Sequence, residues 1–184
     1  MRSGTHAIAM TAVLLTAVAA MVGQQSIAPL GARLKVRWQG STVLFQEDGT
    51  AHEVSIKDQF GAAGLDSVKV QSAKKATGFI YLLLDVTGPS KIPGDSRQCG
   101  AGTESNLVWL KLDQDWKLLD AKTFLYESCW STVEAADPPR WQDDTLKVSA
   151  DKFTANSTET RVATYSYKHP EEGLKVSEAA IVKQ

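Results

Sequence analysis

Beyond residue 23 the chain holds few groups able to do chemistry: Cys99 and Cys129, His52 and His169, and scattered carboxylates. Nucleophilic catalysis requires a base within reach of a nucleophile. His52 follows an Asp48-Gly49 turn signal and His169 precedes Pro170, and no Gly-x-Ser-x-Gly accompanies either. Both histidines read as surface residues. Asp137, Asp143 and Asp144 are the densest acidic group. Paired carboxylates can act as acid and base, but the alternating ligands and turn glycine of a calcium loop are missing. Two cysteines and two histidines at unrelated spacings do not compose a zinc site. Gly100-Ala101-Gly102 lacks the helix that a phosphate loop opens. The expectation is therefore a protein without metal or cofactor. Asn156-Ser157-Thr158 fits the N-glycosylation acceptor pattern.

The cysteines gain meaning from the start of the chain. Arg2, then an apolar stretch from Ala7 to Met21 interrupted by Thr11 and Thr16, then Ala17-Val18-Ala19, make a secretory signal. The apolar run of about 15 residues is short for a membrane span, which needs about 20. No cysteine sits near the cleavage region to carry a lipid. Residues 1–23 are read as a signal peptide and 24–184 as one secreted β domain, periplasmic or extracellular. Removing 23 of 184 residues leaves about 160, enough for one domain with a real core. The formal net charge of -1 gives no footprint for nucleic acid. No later stretch is apolar enough to span a membrane as a helix. In an oxidising compartment two thiols pair more often than they stay free, so a Cys99–Cys129 disulfide is expected.

The elements that must position these groups are strands. Leu34–Trp38, Thr42–Gln46 and His52–Lys57 alternate apolar and polar residues around turn signals, which reads as a meander. Phe79–Val86 is apolar on both faces, as in a strand buried on both sides. Leu107–Leu112 and Trp116–Tyr126 read as a hairpin centred on Gln114. That centring opposes Leu110 to Leu118, Trp109 to Leu119 and Lys111 to Lys117, and places the cysteines symmetrically about the same point. A disulfide closing this loop of roughly 30 residues contributes about 3–4 kcal/mol by loop-entropy reasoning. Residues 87–106 and 135–145 read as irregular loops, the second broken by Pro138-Pro139. The fold expected is all-β: a single antiparallel sandwich or barrel-like sheet of about ten short strands with one disulfide.

Sparse catalytic groups and long loops on a stiff scaffold favour an exported, non-enzymatic binding module. Its partner would be a protein or an envelope carbohydrate, contacted through loops 87–106 and 135–145. Trp141, in a polar loop, is either an exposed anchor or a cap folded back on the core. Arg97, Glu104, Tyr126 and Arg140 are the other candidate contact residues. A carboxylate-dependent, glycosidase-like hydrolase using two of Glu104, Glu127, Glu134, Asp137 and Asp143 is the alternative. A purely structural envelope protein is a third reading.

Overall fold

The computed structural model describes residues 34–60, 62, 64–90 and 102–183, with the main chain alone for 179–183. Residues 1–23, expected to be a signal peptide, and Arg97 and Cys99 lie outside the described residues. Among the described residues, eleven strands and one 3-10 turn make up the regular structure, all strand pairings being antiparallel.

Three short strands, β1 (Lys35–Gln39), β2 (Thr42–Glu47) and β3 (Thr50–Ser55), form one small sheet. Asp48 and Gly49 both adopt positive φ, 47° and 88°, the backbone that a two-residue turn needs to match the twist of its strands. The other eight strands follow one another in a second sheet: β4 (Ser67–Ala76), β5 (Phe79–Pro89), β6 (Thr103–Leu112), β7 (Leu118–Ser128), β8 (Val133–Gln142), β9 (Thr145–Phe153), β10 (Ser157–Ser166) and β11 (Lys175–Lys183). The 3-10 turn Pro170–Glu172 precedes the last strand.

This long sheet bends sharply. β7 and β8 share one register pair, Ser128 with Val133, so β8–β11 swing away and fold back over one face of β4–β7. Arg161, early in β10, lies over the Phe124 ring of β7. Tyr165, four residues on, reaches Ser72 of β4 at 3.2 Å. β10 thus crosses the strands beneath it, as sheets do in orthogonal packing. Two cores result. Val43, Phe45, Val54 and Ile56 of the small sheet region meet Leu82, Leu84, Val108 and Leu110. On the opposite face Tyr81, Leu83, Leu107 and Trp109 meet Leu146, Val148, Ala163 and Tyr165. The expectation for Phe79–Val86 is met: alternate residues of β5 serve different cores, as a doubly apolar run dictates.

Three sequence expectations are corrected. The hairpin register is not centred on Gln114. Leu110 faces Ala121, Trp109 faces Lys122 and Lys111 faces Asp120. The cause is the turn. Asp113 Oδ1 accepts from the backbone N–H groups of Asp115 and Lys117 at 3.0 and 2.9 Å, and Trp116 sits at φ 63°. Asp113–Lys117 is therefore a five-residue loop, and Trp116 belongs to it. A like-charge clash becomes an opposed Lys–Asp pair, which is favourable. Symmetry about Gln114 thus gives no argument for joining the cysteines. Second, residues 135–145 are mostly strand. Pro138 and Pro139 lie within β8, accommodated by register shifts between Ala135 and Asp137 and between Asp137 and Arg140. They are tolerated because the β9 register skips both between Asp137 and Arg140, and the side of β8 away from β9 carries no ladder beyond Val133. The 87–106 stretch is shorter than expected too, since β5 runs to Pro89 and β6 starts at Thr103.

Candidate functional site

The sheet's polar chemistry collects where β5–β7 emerge from under β8–β10. Two bulges aim it. On β4 Gln71 has no opposite number on β5, and on β7 Tyr126 has none on β6. An extra residue bends a strand and redirects its side chain. Both redirected side chains converge on Asp85 of β5. The Tyr126 hydroxyl donates to Oδ1 at 2.6 Å, and Gln71 Nε2 donates to Oδ2 at 3.1 Å. Burial pushes the Tyr126 hydroxyl well above the usual phenol range, and its bond to Asp85 pushes the same way. Ser105, nearby, donates to Glu127 Oε2 at 3.2 Å. A carboxylate gripped by two donors is a brace between three strands.

The corner next to this network is open. Cys129–Thr132 turns β7 into β8, with Thr132 at φ 50°. Ser128, almost wholly buried, fixes the turn. Its hydroxyl donates to Glu104 Oε1 at 2.9 Å and accepts from the Ser131 N–H at 2.9 Å. Thr132 Oγ1 donates to the Phe153 carbonyl at 2.8 Å, tying the turn to the end of β9. Gly102, Thr103, Glu127, Cys129, Glu134 and Phe153 are among the residues lining a shallow recess of about 550 Å³ here. Trp130 at the tip of the turn is 39% exposed and Phe153 is 37% exposed, both large apolar side chains offered to water. Hydroxyls, two carboxylates and Phe153 thus line one recess, and Trp130 stands on the turn next to the lining residue Cys129. Such a surface can accept hydrogen bonds and stack on a flat apolar group.

The candidate residues read from sequence divide between this region and elsewhere. Glu104 and Tyr126 sit beside it, but both are buried and spend their polar groups on Ser128 and Asp85. Arg140 pairs with Asp137 on the exposed side of β8. Trp141 packs edge-on against Tyr165 and Tyr167, with ring centroids 6.1 and 6.4 Å away, so it is the cap on the second core. Its indole N–H is buried without a partner. Arg140 and Trp141 lie seven and eight residues beyond Val133, roughly 20 Å along an extended strand, and do not share a surface with Glu104 and Tyr126. Of the five carboxylates considered for hydrolysis, Glu127 and Glu134 line the recess, Glu104 lies behind it, and Asp137 and Asp143 are remote on β8 and its following turn. His52, expected at the surface, is half-buried and stacked on Trp116 at 4.5 Å with rings 8° from parallel.

Sequence reasoning missed Trp130, Phe153, Asp85 and Gln71 as a neighbourhood. Bulges leave no periodic signature, and Phe153 meets the corner only because β8 and β9 form a hairpin after the bend. Among the described residues no group of three or more His, Cys, Asp or Glu side chains could hold a metal ion, and no helix is long and apolar enough to cross a membrane. No protein family, curated protein or solved structure matches the chain.

Proposed function

We propose that the protein is an exported binding module that contacts an envelope carbohydrate through the β7–β8 corner. The observation that carries this reading is exposed Phe153 in a recess lined by Glu127, Glu134, Thr103 and Thr132, with exposed Trp130 on the adjoining turn. Aromatic faces suit the C–H faces of a sugar ring, and carboxylates and hydroxyls accept from its hydroxyls. The recess is shallow, and the one buried acid beside it is already bonded to Ser128. Both points favour binding over two-carboxylate hydrolysis.

A Cys99–Cys129 disulfide would brace this corner. Cys129 lines the recess with Gly102 and Thr103. Cys99 stands three residues before Gly102 in the sequence, within about 10 Å of extended chain. Mass spectrometry of exported protein, with and without reduction before alkylation, tests the bond. A mass two hydrogens below the reduced chain is expected, and alkylation of both sulfurs without reduction would refute it.

Pull-down of the mature protein by purified envelope polysaccharide tests the function. Retention that falls at least tenfold in Trp130→Ala and in Phe153→Ala, with Trp38→Ala unchanged, is the expected result. Retention that ignores both substitutions, or capture only of a protein partner, removes the reading.

A further inference from the structure

We infer that the outer edge of β7 pairs with the same edge of a second copy of this chain, forming a two-fold dimer through a continuous antiparallel ladder. The inference is independent of the corner assigned above. Because the long sheet bends after β7, this strand has, among the described residues, a neighbour on one side only along most of its length. β6 pairs with it from Leu118 to Ser128, while β8 meets it at Ser128 alone. An open edge inside a sheet invites another strand. The two edges created by the bend are protected differently. β8 carries Pro138 and Pro139, which lack the N–H that a ladder needs. β7 has no proline, and its bulged Leu119 is 48% exposed. A surface groove of about 440 Å³ runs beside it, lined by Leu118, Leu119, Asp120, Ala121 and Thr123 with Asp58 and Gln59.

The main-chain groups point the right way. The Ala121 N–H donates to the carboxylate of its own neighbour Asp120 at 2.8 Å. That donor is therefore turned away from β6, and by alternation so is that of Thr123. The sequence then names the partner. Antiparallel pairing of two β7 strands about a two-fold axis at Ala121 sets Asp120 of each copy opposite Lys122 of the other. Two opposed ion pairs flank the axis. The two Ala121 residues exchange their main-chain bonds, freeing each Asp120 carboxylate for the facing lysine. Lys122 already donates to the Glu172 carbonyl at 3.1 Å, but an ammonium has three donors and this one is exposed. A strand carrying Asp-Ala-Lys at its midpoint is complementary to itself in this one register.

Sedimentation velocity on the mature protein over a wide concentration range tests the pairing. The wild-type chain is expected to pass from monomer to dimer as concentration rises. Asp120→Lys and Lys122→Asp each place like charges opposite one another twice, and each should weaken association roughly tenfold or more. An equimolar mixture of the two variants should regain the dimer as a mixed species, because each then meets its opposite. Circular dichroism of the separate variants confirms that both are folded, and the mixing experiment needs no further substitution. A wild-type chain that stays monomeric throughout, single variants that dimerise as the wild type does, or folded variants whose mixture fails to associate would each overturn the inference.

Discussion

Asp85 shows how one side chain can tie several strands together. It lies on β5, yet its two donors come from β4 and β7, each delivered by a bulge. Removing one donor leaves a partly buried carboxylate underserved. Tyr126→Phe should therefore lower unfolding free energy by about 1.5–3 kcal/mol, the range for a hydrogen bond to a charged group. Urea melts with an unchanged slope would show it, and a loss near zero would mean that water replaces the phenol. The second buried phenol gives a pH prediction. Burial, the largest cause, pushes Tyr165 from 10.0 up to about 12, against the lowering effect of its bond to Ser72. An acid whose pKa is higher folded than unfolded keeps its full contribution below the unfolded value and loses it as pH rises through the folded one. Stability from this group should hold up to about pH 10 and decline between 10 and 12. Urea midpoints across that range should fall less steeply in Tyr165→Phe than in the wild type. Equal slopes would show that the phenol already ionises in the folded state.

Among the elements, turns decide what the strands can do. The β6–β7 loop is held by one carboxylate, Asp113, accepting two backbone N–H groups. Asp113→Ala should cost about 1–2 kcal/mol, read as a lower urea midpoint. A stability equal to wild type would show that Trp116 packing alone sets the loop. This loop also marks the limit of what the sequence reveals. Alternation exposed the small-sheet strands, and the unbroken apolar run exposed β5, because side-chain period follows directly from backbone geometry. Val108, Leu110 and Leu112 alternate along β6, and they lie with Trp116 in one core. The register was not legible, because it depends on whether Trp116 ends a turn or begins a strand, and a positive φ at a tryptophan has no composition signal. Pro138-Pro139 concealed β8 for a related reason. Adjacent prolines remove a donor from each side of a strand, and neither side needs one here: the β9 register skips both between Asp137 and Arg140, and the bend leaves the other side unpaired. The same blindness separated the site residues. From sequence Arg140 and Trp141 read as sharing a binding loop, while the exposed aromatics stand at a corner that exists only after the sheet folds back. At Gly88 the close approach is equally invisible: a Cβ there would overlap the Gly64 carbonyl and crowd the Phe60 ring.

At the scale of the whole molecule the two cores share their central strands. Leu82, Leu84, Val108 and Leu110 close one, while Tyr81, Leu83, Leu107 and Trp109 close the other, and all eight belong to β5 and β6. Neither strand can release one face and keep its shape, since alternate residues of the same backbone serve opposite layers. Loss of the small sheet would bare one apolar face of β5 and β6 while the other stayed packed, a state with much of the penalty of unfolding and little of its chain entropy. Phe45→Ala, which empties the small-sheet core, should therefore cost about 3–5 kcal/mol and destabilise the distant core equally. Two tryptophans report on this without further mutation. Trp116 lies in the first core and Trp109 in the second, where its indole N–H donates to the Pro170 carbonyl at 2.9 Å. With fluorotryptophan incorporated, the fluorine signals of Trp109 and Trp116 should vanish at one common urea concentration in the wild type, and at one lower concentration in Phe45→Ala. If Trp116 lost its native signal while Trp109 kept it, the central strands would not couple the layers, and the small sheet would be an appendage rather than part of a single cooperative structure.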